Sequence, residues 1–141
     1  MHIVLAANAQ ADQPWVADAT GVFASRTGAT VAVLSVDEVE LERYAAAPRS
    51  VYLEQAEEAA TAAVARLALH GVAATRTVLS GGALDRILEF ADSQAADVVV
   101  VGASTRKAVT RRLLGSVPIS LVEHSPRPVL VVPTPRELPP A

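Results

Sequence analysis

One stretch decides the fold: from Val98 to Pro118 the chain reads VVVVGASTRKAVTRRLLGSVP. The four β-branched valines and Gly102 predict a buried strand that ends in a sharp turn. Gly115 and Ser116 come directly before a segment in which a helix can begin, because proline suits the first helical turn. A helix N-terminus offers free backbone N–H groups and the positive end of the helix dipole. The stretch therefore predicts an anion site between a strand and a helix.

The loop inside this stretch is basic. It carries four of the 12 lysines and arginines, although the net charge of the whole chain is −3. These four are Arg106, Lys107, Arg111 and Arg112. Phosphate is the ligand that such a loop favours. Spacing alone leaves a second interpretation equally open, in which the glycines are ordinary turn residues and the arginines a solvated surface.

Strand and helix patterns alternate along the rest of the chain. Short apolar runs predict strands over residues 2–7, 30–36, 72–79, 98–101 and 129–132. Helical periodicity predicts helices over 15–26, 50–70, 84–91 and 117–124. This alternation predicts an α/β fold, a five-stranded parallel doubly wound sheet with helices on both faces. Such sheets bind ligands beyond the carboxyl ends of their strands, where the strand order reverses.

The first two helices carry recognisable end signals. Asp12 is predicted as the N-cap of the first helix, with Pro14 in its first turn and Gly28 at its end. Ser50 is predicted to cap the second helix and Gly71 to stop it. Apolar spacing predicts that the first helix turns Trp15, Val16, Ala19, Val22 and Phe23 to the core. For the second helix the same spacing predicts that the core-facing residues are Leu53, Ala56, Ala60, Ala63, Val64 and Leu67.

Composition limits the class of protein. A chain of 141 residues with 51% hydrophobic residues can bury one core, so we expect a single domain over 1–135 and a proline-rich tail over 136–141. The lack of cysteine excludes disulfides and thiolate chemistry. No run approaches the roughly 20 apolar residues of a membrane helix, and a pI near 5.6 argues against a nucleic-acid partner. We expect a cytoplasmic protein.

Motifs of catalysis are missing. The chain has no Gly-x-Gly-x-x-Gly, no Gly-x4-Gly-Lys-Ser/Thr and no Gly-x-Ser-x-Gly. His2, His70 and His124 are scattered without the spacing of metal ligands. We expect a binding protein rather than an enzyme, with weak ATP hydrolysis left open.

The glycine spacing resembles a known signature. Gly102, the 12 residues after it, Gly115 and Ser116 resemble the pattern Gly-x2-Gly-x9-Gly-Ser/Thr of the universal stress protein family. Residues 3–8 resemble the first strand of that family, and residues 78–87 its entry to the third helix. The resemblance covers nearly the whole chain. It implies the strand order 3-2-1-4-5, with the ligand between strands 1 and 4.

The resemblance also implies a site. Adenine would lie against Val36, and Ala7 and Asn8 would approach the ribose. The phosphates would be lined by Gly102, Ser104, Thr105, Arg106, Gly115, Ser116 and Val117. The implied ligand is ATP or another adenine nucleotide, with AMP, ADP and cyclic AMP as alternatives.

Two residues depart from the family pattern. Asn8 stands where nucleotide-binding members carry aspartate, so it lacks the charge that would attract hydrated Mg²⁺ and leaves magnesium dependence open. Thr105 stands at the second loop glycine, where a strained backbone would cost about 1–3 kcal/mol. The alternative function is a dimeric protein-interaction module that has lost the nucleotide. A homodimer through the edge strand Val129 to Val132 is expected in either case.

Overall fold

The computed structural model describes residues 1–38, 48–103 and 117–135, the side chain of Arg49 excepted. Its strands are β1 (His2–Ala7), β2 (Thr30–Glu38), β3 (Ala74–Gly81), β4 (Val98–Gly102) and β5 (Val129–Val132). Its helices are α1 (Pro14–Thr27), α2 (Arg49–Ala68), α3 (Ala83–Ser93) and α4 (Val117–His124). The predicted alternation of strands and helices is confirmed. The basic loop and the proline-rich tail lie outside the described residues.

The five strands form one parallel sheet in the order β3-β2-β1-β4-β5, as predicted. The strand order reverses between β1 and β4. Pairing of β1 with β2 ends at Ala7 and Ser35, whereas pairing of β2 with β3 continues to Glu38 and Gly81. Because β2 runs on past the end of β1, the carboxyl edge of the sheet has a step beside β1.

Helices cover the sheet on both sides. Alternate residues of the central strands, such as Ile3 and Leu5, pack with α1 and α2 in one apolar core, which we call the α1–α2 face. The residues between them, such as Val4, pack with α3 and α4 in a second core, the α3–α4 face. This division follows from the alternation of side chains along a strand.

The first helix begins and ends close to the predicted positions. Pro14 is its first residue, and Gly28 adopts a φ of 72° and donates its N–H to the carbonyl of Ala24. The N-cap prediction for Asp12 is wrong. Because Pro14 is already helical, the residue directly before it, Gln13, holds the N-cap position, and it makes no side-chain capping bond.

The second helix begins earlier than predicted. Arg49 is its first residue and Pro48 its N-cap, so Ser50 lies inside the first turn and caps nothing. The helix ends at Ala68, and Gly71 follows in a turn with a φ of 73°. Although α2 has 20 residues, no helix in the described ranges combines the length and hydropathy needed to span a bilayer.

The core faces of the two helices match the prediction in part, since Trp15, Phe23 and Val64 do pack against the core. The buried residues of α1 are Val16, Ala17, Thr20, Gly21 and Ala24, whereas Val22 is 41% exposed. The buried residues of α2 are Tyr52, Ala56, Ala60, Ala63 and Leu67, whereas Leu53 is 39% exposed. The two helices pack closely: a Cβ atom added to Gly21 would lie 2.8 Å from the ring of His70. Close packing favours small residues, which apolar periodicity overlooks.

Candidate functional site

A cavity of about 820 Å³ opens on the α1–α2 face at the carboxyl end of β1. One wall is the end of β1 with the loop that follows it, residues 5–14, and the start of α1 adds Val16 and Ala17. The opposite wall is α2, which contributes Gln55, Glu58, Ala59, Ala62, Ala63, Ala65 and Arg66, and Leu69 follows beyond its end. The volume lies in the range of about 300–1,000 Å³ that is usual for small-molecule sites.

Small side chains create this space. On α2 the wall is largely alanine, with Ala59, Ala62 and Ala63 facing the loop after β1. Larger aliphatic residues at these positions would project into the cavity. The step in the sheet edge lies between β1 and β2, whereas the strand order reverses on the other side of β1, between β1 and β4.

Two hydrogen bonds shape the end of β1. The carbonyl of Ala7 accepts from the hydroxyl of Ser35 at 3.1 Å. The Oδ1 atom of Asn8 accepts from the backbone N–H of Gln10 at 2.8 Å, the pattern by which asparagine closes a tight turn. Both Ala7 and Asn8 line the cavity. The Asn8 side chain therefore supports the loop as well as standing beside any ligand.

The end of β4 is in contact with α1. A Cβ atom on Gly102 would lie 2.5 Å from Gln13 Oε1 and 2.8 Å from Val16 Cγ2, so the close approach of α1 requires glycine there. Gln13 Nε2 donates to the carbonyl of Ala103 at 3.1 Å. The N–H of Ala103 donates to the carbonyl of Val132 at 2.8 Å. The backbone N–H of Ala103 is therefore already bonded to β5. Gly102 allows α1 to pack closely on β4, whatever ligand binds nearby.

The predicted site residues lie in different parts of the structure, and only some of them line the cavity. Ala7 and Asn8 lie in the cavity wall, and Gly102 lies behind Gln13. The side chain of Val36 is 7% exposed and belongs to the α3–α4 core, and Val117 packs against the same core. Ser104, Thr105, Arg106, Gly115 and Ser116 lie outside the described residues.

Sequence reasoning missed two parts of the site. One is the alanine wall of α2, of which the helical spacing predicts only Ala63, and that as a core residue. The other is Gln13, since no motif marks a glutamine between a strand and a helix. Its position directly before Pro14 was the available signal, because an N-cap residue stands at the carboxyl edge of a parallel sheet.

Acidic side chains outnumber basic ones in the described cavity wall. Asp12 and Glu58 stand in the wall, and Arg66 is the basic residue of the described lining. Arg66 binds Asp18 through two bonds, Nε to Oδ1 at 2.8 Å and Nη2 to Oδ2 at 3.0 Å. His70 Nε2 lies 2.9 Å from the same Oδ1 atom. Hydrogen bonds from Arg66 and then His70 hold the pKa of Asp18 below its usual value. The Arg66 cation is thus already paired.

The described residues do not build a metal site. They contain no group of three or more His, Cys, Asp or Glu side chains that could hold a metal ion. The Oδ1 atom of Asn8 is uncharged and already accepts a hydrogen bond. The described lining therefore suits the uncharged part of a ligand better than a phosphate bound to magnesium.

Comparison with known proteins identifies the family. The profile described as Universal stress protein family matches residues 1–133. The chain belongs to the universal stress protein family. A universal stress protein of Methanocaldococcus jannaschii is 36% identical over 67 residues, which are 48% of this chain and 39% of that relative. The match thus spans well under two thirds of that relative's length.

Solved universal stress proteins share the fold. One, in complex with cAMP, superposes with a TM-score of 0.71 at 24% identity, covering 94% of this chain and 96% of that one. Another, from Archaeoglobus fulgidus in complex with dAMP, superposes with a TM-score of 0.70 at 23% identity. The match covers 94% of this chain and 97% of that one. UspA from Lactobacillus plantarum superposes with a TM-score of 0.69 at 18% identity, and the match covers 92% of this chain and 97% of that one. These likenesses place the five-stranded sheet and its helices in the universal stress fold.

Proposed function

We propose that this universal stress protein binds an adenine nucleotide in the cleft beyond β1 and β4, and that the bound state serves a regulatory role in stress response. The observation that carries the proposal is the cavity of about 820 Å³ at the reversal of strand order, with Ala7 and Asn8 in its wall. The solved relatives in complex with cAMP and dAMP support an adenine nucleotide as the ligand class.

The nucleoside part fits the chemistry of the cavity. Ala59 and Ala62 offer an apolar surface for a flat base, and amide side chains such as Asn8 and Gln55 offer donors and acceptors to sugar and base edges. The phosphates would extend toward the end of β4 and the sequence motif that closes with Gly115 and Ser116. ATP, ADP, AMP and cAMP share the nucleoside, so this geometry supports the class rather than one member.

Binding is the favoured role rather than turnover. The described lining holds no serine, cysteine, histidine or lysine, so within it no nucleophile stands beside a base. Its carboxylates, Asp12 and Glu58, belong to no described group of three or more side chains that could hold a metal ion to activate water.

Two measurements test the proposal. Mass spectrometry of small molecules released from freshly purified protein should detect an adenine nucleotide. Calorimetric titration with AMP, ADP, ATP and cAMP should then give saturable binding at one site per chain, with GMP as the control for the base. Absence of binding to all four adenine ligands would contradict the proposal.

A substitution at Asn8 tests the role of magnesium. Asn8→Asp keeps the oxygen that accepts from the Gln10 N–H and adds a negative charge beside the cavity. We expect ATP affinity of the natural protein to be insensitive to Mg²⁺, and that of Asn8→Asp to rise when Mg²⁺ is added. Equal magnesium dependence in both proteins would show that residue 8 is remote from the phosphates.

A homodimer through β5 is proposed as well. In the described part of the chain, β5 pairs only with β4, and Leu130 and Val131 are 39% and 37% exposed. An uncovered apolar edge strand favours pairing with a second copy. Light scattering should give twice the chain mass, and Leu130→Lys should shift it to the monomer. Val22→Lys, at a position on α1 that is 41% exposed, is the matched control and should stay dimeric. A monomeric natural protein would contradict the interface.

A further inference from the structure

Gln13 stands between the cavity and the end of β4. Its side chain contributes to the cavity wall, whereas Gly102 and Ala103 do not. On its other side the amide lies against Gly102, with Oε1 2.5 Å from the position of a Cβ atom there. Nε2 donates to the carbonyl of Ala103 at 3.1 Å. One side chain thus separates the nucleoside-sized space from the strand end where the basic loop begins.

The orientation of the Gln13 amide follows from its partner. Nε2 is the donor, so it faces the Ala103 carbonyl, and a flipped amide would set two acceptor oxygens against each other. Oε1 has no hydrogen-bond donor within the described ranges, and it lies over Gly102. An acceptor oxygen at this point disfavours phosphate oxygens, because they are acceptors as well.

We propose that Gln13 determines which ligands reach from the cavity to Gly102. With the amide on Ala103, the cavity accepts an uncharged nucleoside, whereas a phosphorylated ligand must first displace the amide from the end of β4. This inference rests on the proposed binding of adenine nucleotides. Displacing the amide costs one neutral hydrogen bond. Phosphorylated ligands therefore bind about 2- to 12-fold more weakly than they would if the amide were absent.

The test compares nucleoside with nucleotide. Gln13→Ala removes the amide, so we expect the affinities for AMP and ATP, each taken relative to the affinity for adenosine, to rise about 2- to 12-fold. The ratio of AMP to adenosine affinity is the decisive readout, since a loss of local structure would weaken both ligands together. Gln13→Asn, whose amide is one methylene too short to reach Ala103, should change the ratio in the same direction. It replaces Gln13→Ala in the test if the alanine variant does not fold.

A second glutamine supplies the control. Gln94, directly after α3, also joins distant parts of the chain through one side-chain hydrogen bond, in which its Oε1 accepts from His2 Nε2 at 3.0 Å. His2 lies at the end of β1 that is opposite to the cavity. Gln94→Ala should leave both affinities unchanged. If the natural protein binds AMP and Gln13→Ala leaves the ratio unchanged or lowers it, the inference fails and the proposed function stands. If only Gln13→Ala binds AMP, the inference is upheld. If neither protein binds AMP, ADP, ATP or cAMP, both proposals fail.

Discussion

The two faces of the sheet are built from the same strands and differ in how they are filled. On the α3–α4 face, Leu34, Phe90 and Leu121 close the core with large side chains. On the α1–α2 face the helices contribute small residues such as Ala60 and Ala63, and a cavity remains at the carboxyl edge. Both faces therefore bury a core, and the described cavity lies on the face where the helices carry small residues.

The faces also differ in polarity. Within the described residues, the fully buried polar side chains are Thr20, Ser35 and Asp37. Thr20 lies on α1, and Ser35 and Asp37 alternate in register with the β2 residues that face α1 and α2. Ser35 donates to the Ala7 carbonyl, and Ser80 donates to Asp37 at 3.1 Å. The two β2 residues lie near the carboxyl edge, so the polar groups of the interior gather toward the cavity end of the α1–α2 face.

The largest effect is expected on the closed face. Leu34 is fully buried there, and Leu34→Ala should lower the free energy of unfolding by about 2–5 kcal/mol through lost burial and a new void. Denaturant unfolding followed by circular dichroism measures this. Leu69→Ala, at a position 75% exposed, is the control and should stay within about 0.5 kcal/mol of the natural protein. Equal losses for both variants would contradict the tight packing of this face.

A substitution on the open face should affect binding and spare stability. Ala59 is half-buried in the cavity wall, so Ala59→Phe should fill ligand space and weaken AMP at least tenfold, about 1.4 kcal/mol. Stability should change by no more than about 1 kcal/mol, since the ring enters a cavity. Ala68→Phe makes the same change at an exposed position of α2 outside the wall. Unchanged AMP affinity in Ala59→Phe would place the ligand elsewhere.

The smallest effect is expected where α1 and α2 are joined at the surface. Asp18→Asn removes the carboxylate that Arg66 and His70 bind. Because the pKa of Asp18 is lowered in the folded protein, its contribution is present above the unfolded value of 3.8 and is lost as pH falls through the lower folded value. The stability difference between natural and variant protein should thus be present at pH 7 and vanish in acid. It should be far smaller than for Leu34→Ala, since exposed ion pairs contribute little.

A stability difference that does not shrink as the pH falls through the acid range would contradict this assignment for Asp18. Parallel unfolding curves from about pH 7 to pH 2 measure it, since that interval includes the titration of an ordinary aspartate. Leu34→Ala serves as the comparison here. The stability that it loses through a core void does not depend on the titration of a carboxylate, so this loss should persist across the same pH range.

The sequence by itself determined the elements and their order along the chain. The valine run before Gly102, the proline of α1 and the glycine at position 28 act locally, through allowed backbone angles and strand-forming side chains. For that reason every described strand and helix overlaps its predicted range and α1 ends before Gly28 as predicted, although β3 spans Ala74–Gly81 instead of 72–79. Family resemblance supplied the strand order, and it placed Ala7 and Asn8 at the end of β1, where the cavity lies.

Only the tertiary structure decided which side chains meet across elements. Gly21 faces α2 because the ring of His70 packs on it, and Gly102 is glycine because Gln13 and Val16 approach it. The alanines of α2 line a cavity because the end of β1 and the start of α1 lie across from them. Such contacts depend on the distance between two surfaces that are far apart in sequence, and helical or strand periodicity holds no information about that distance.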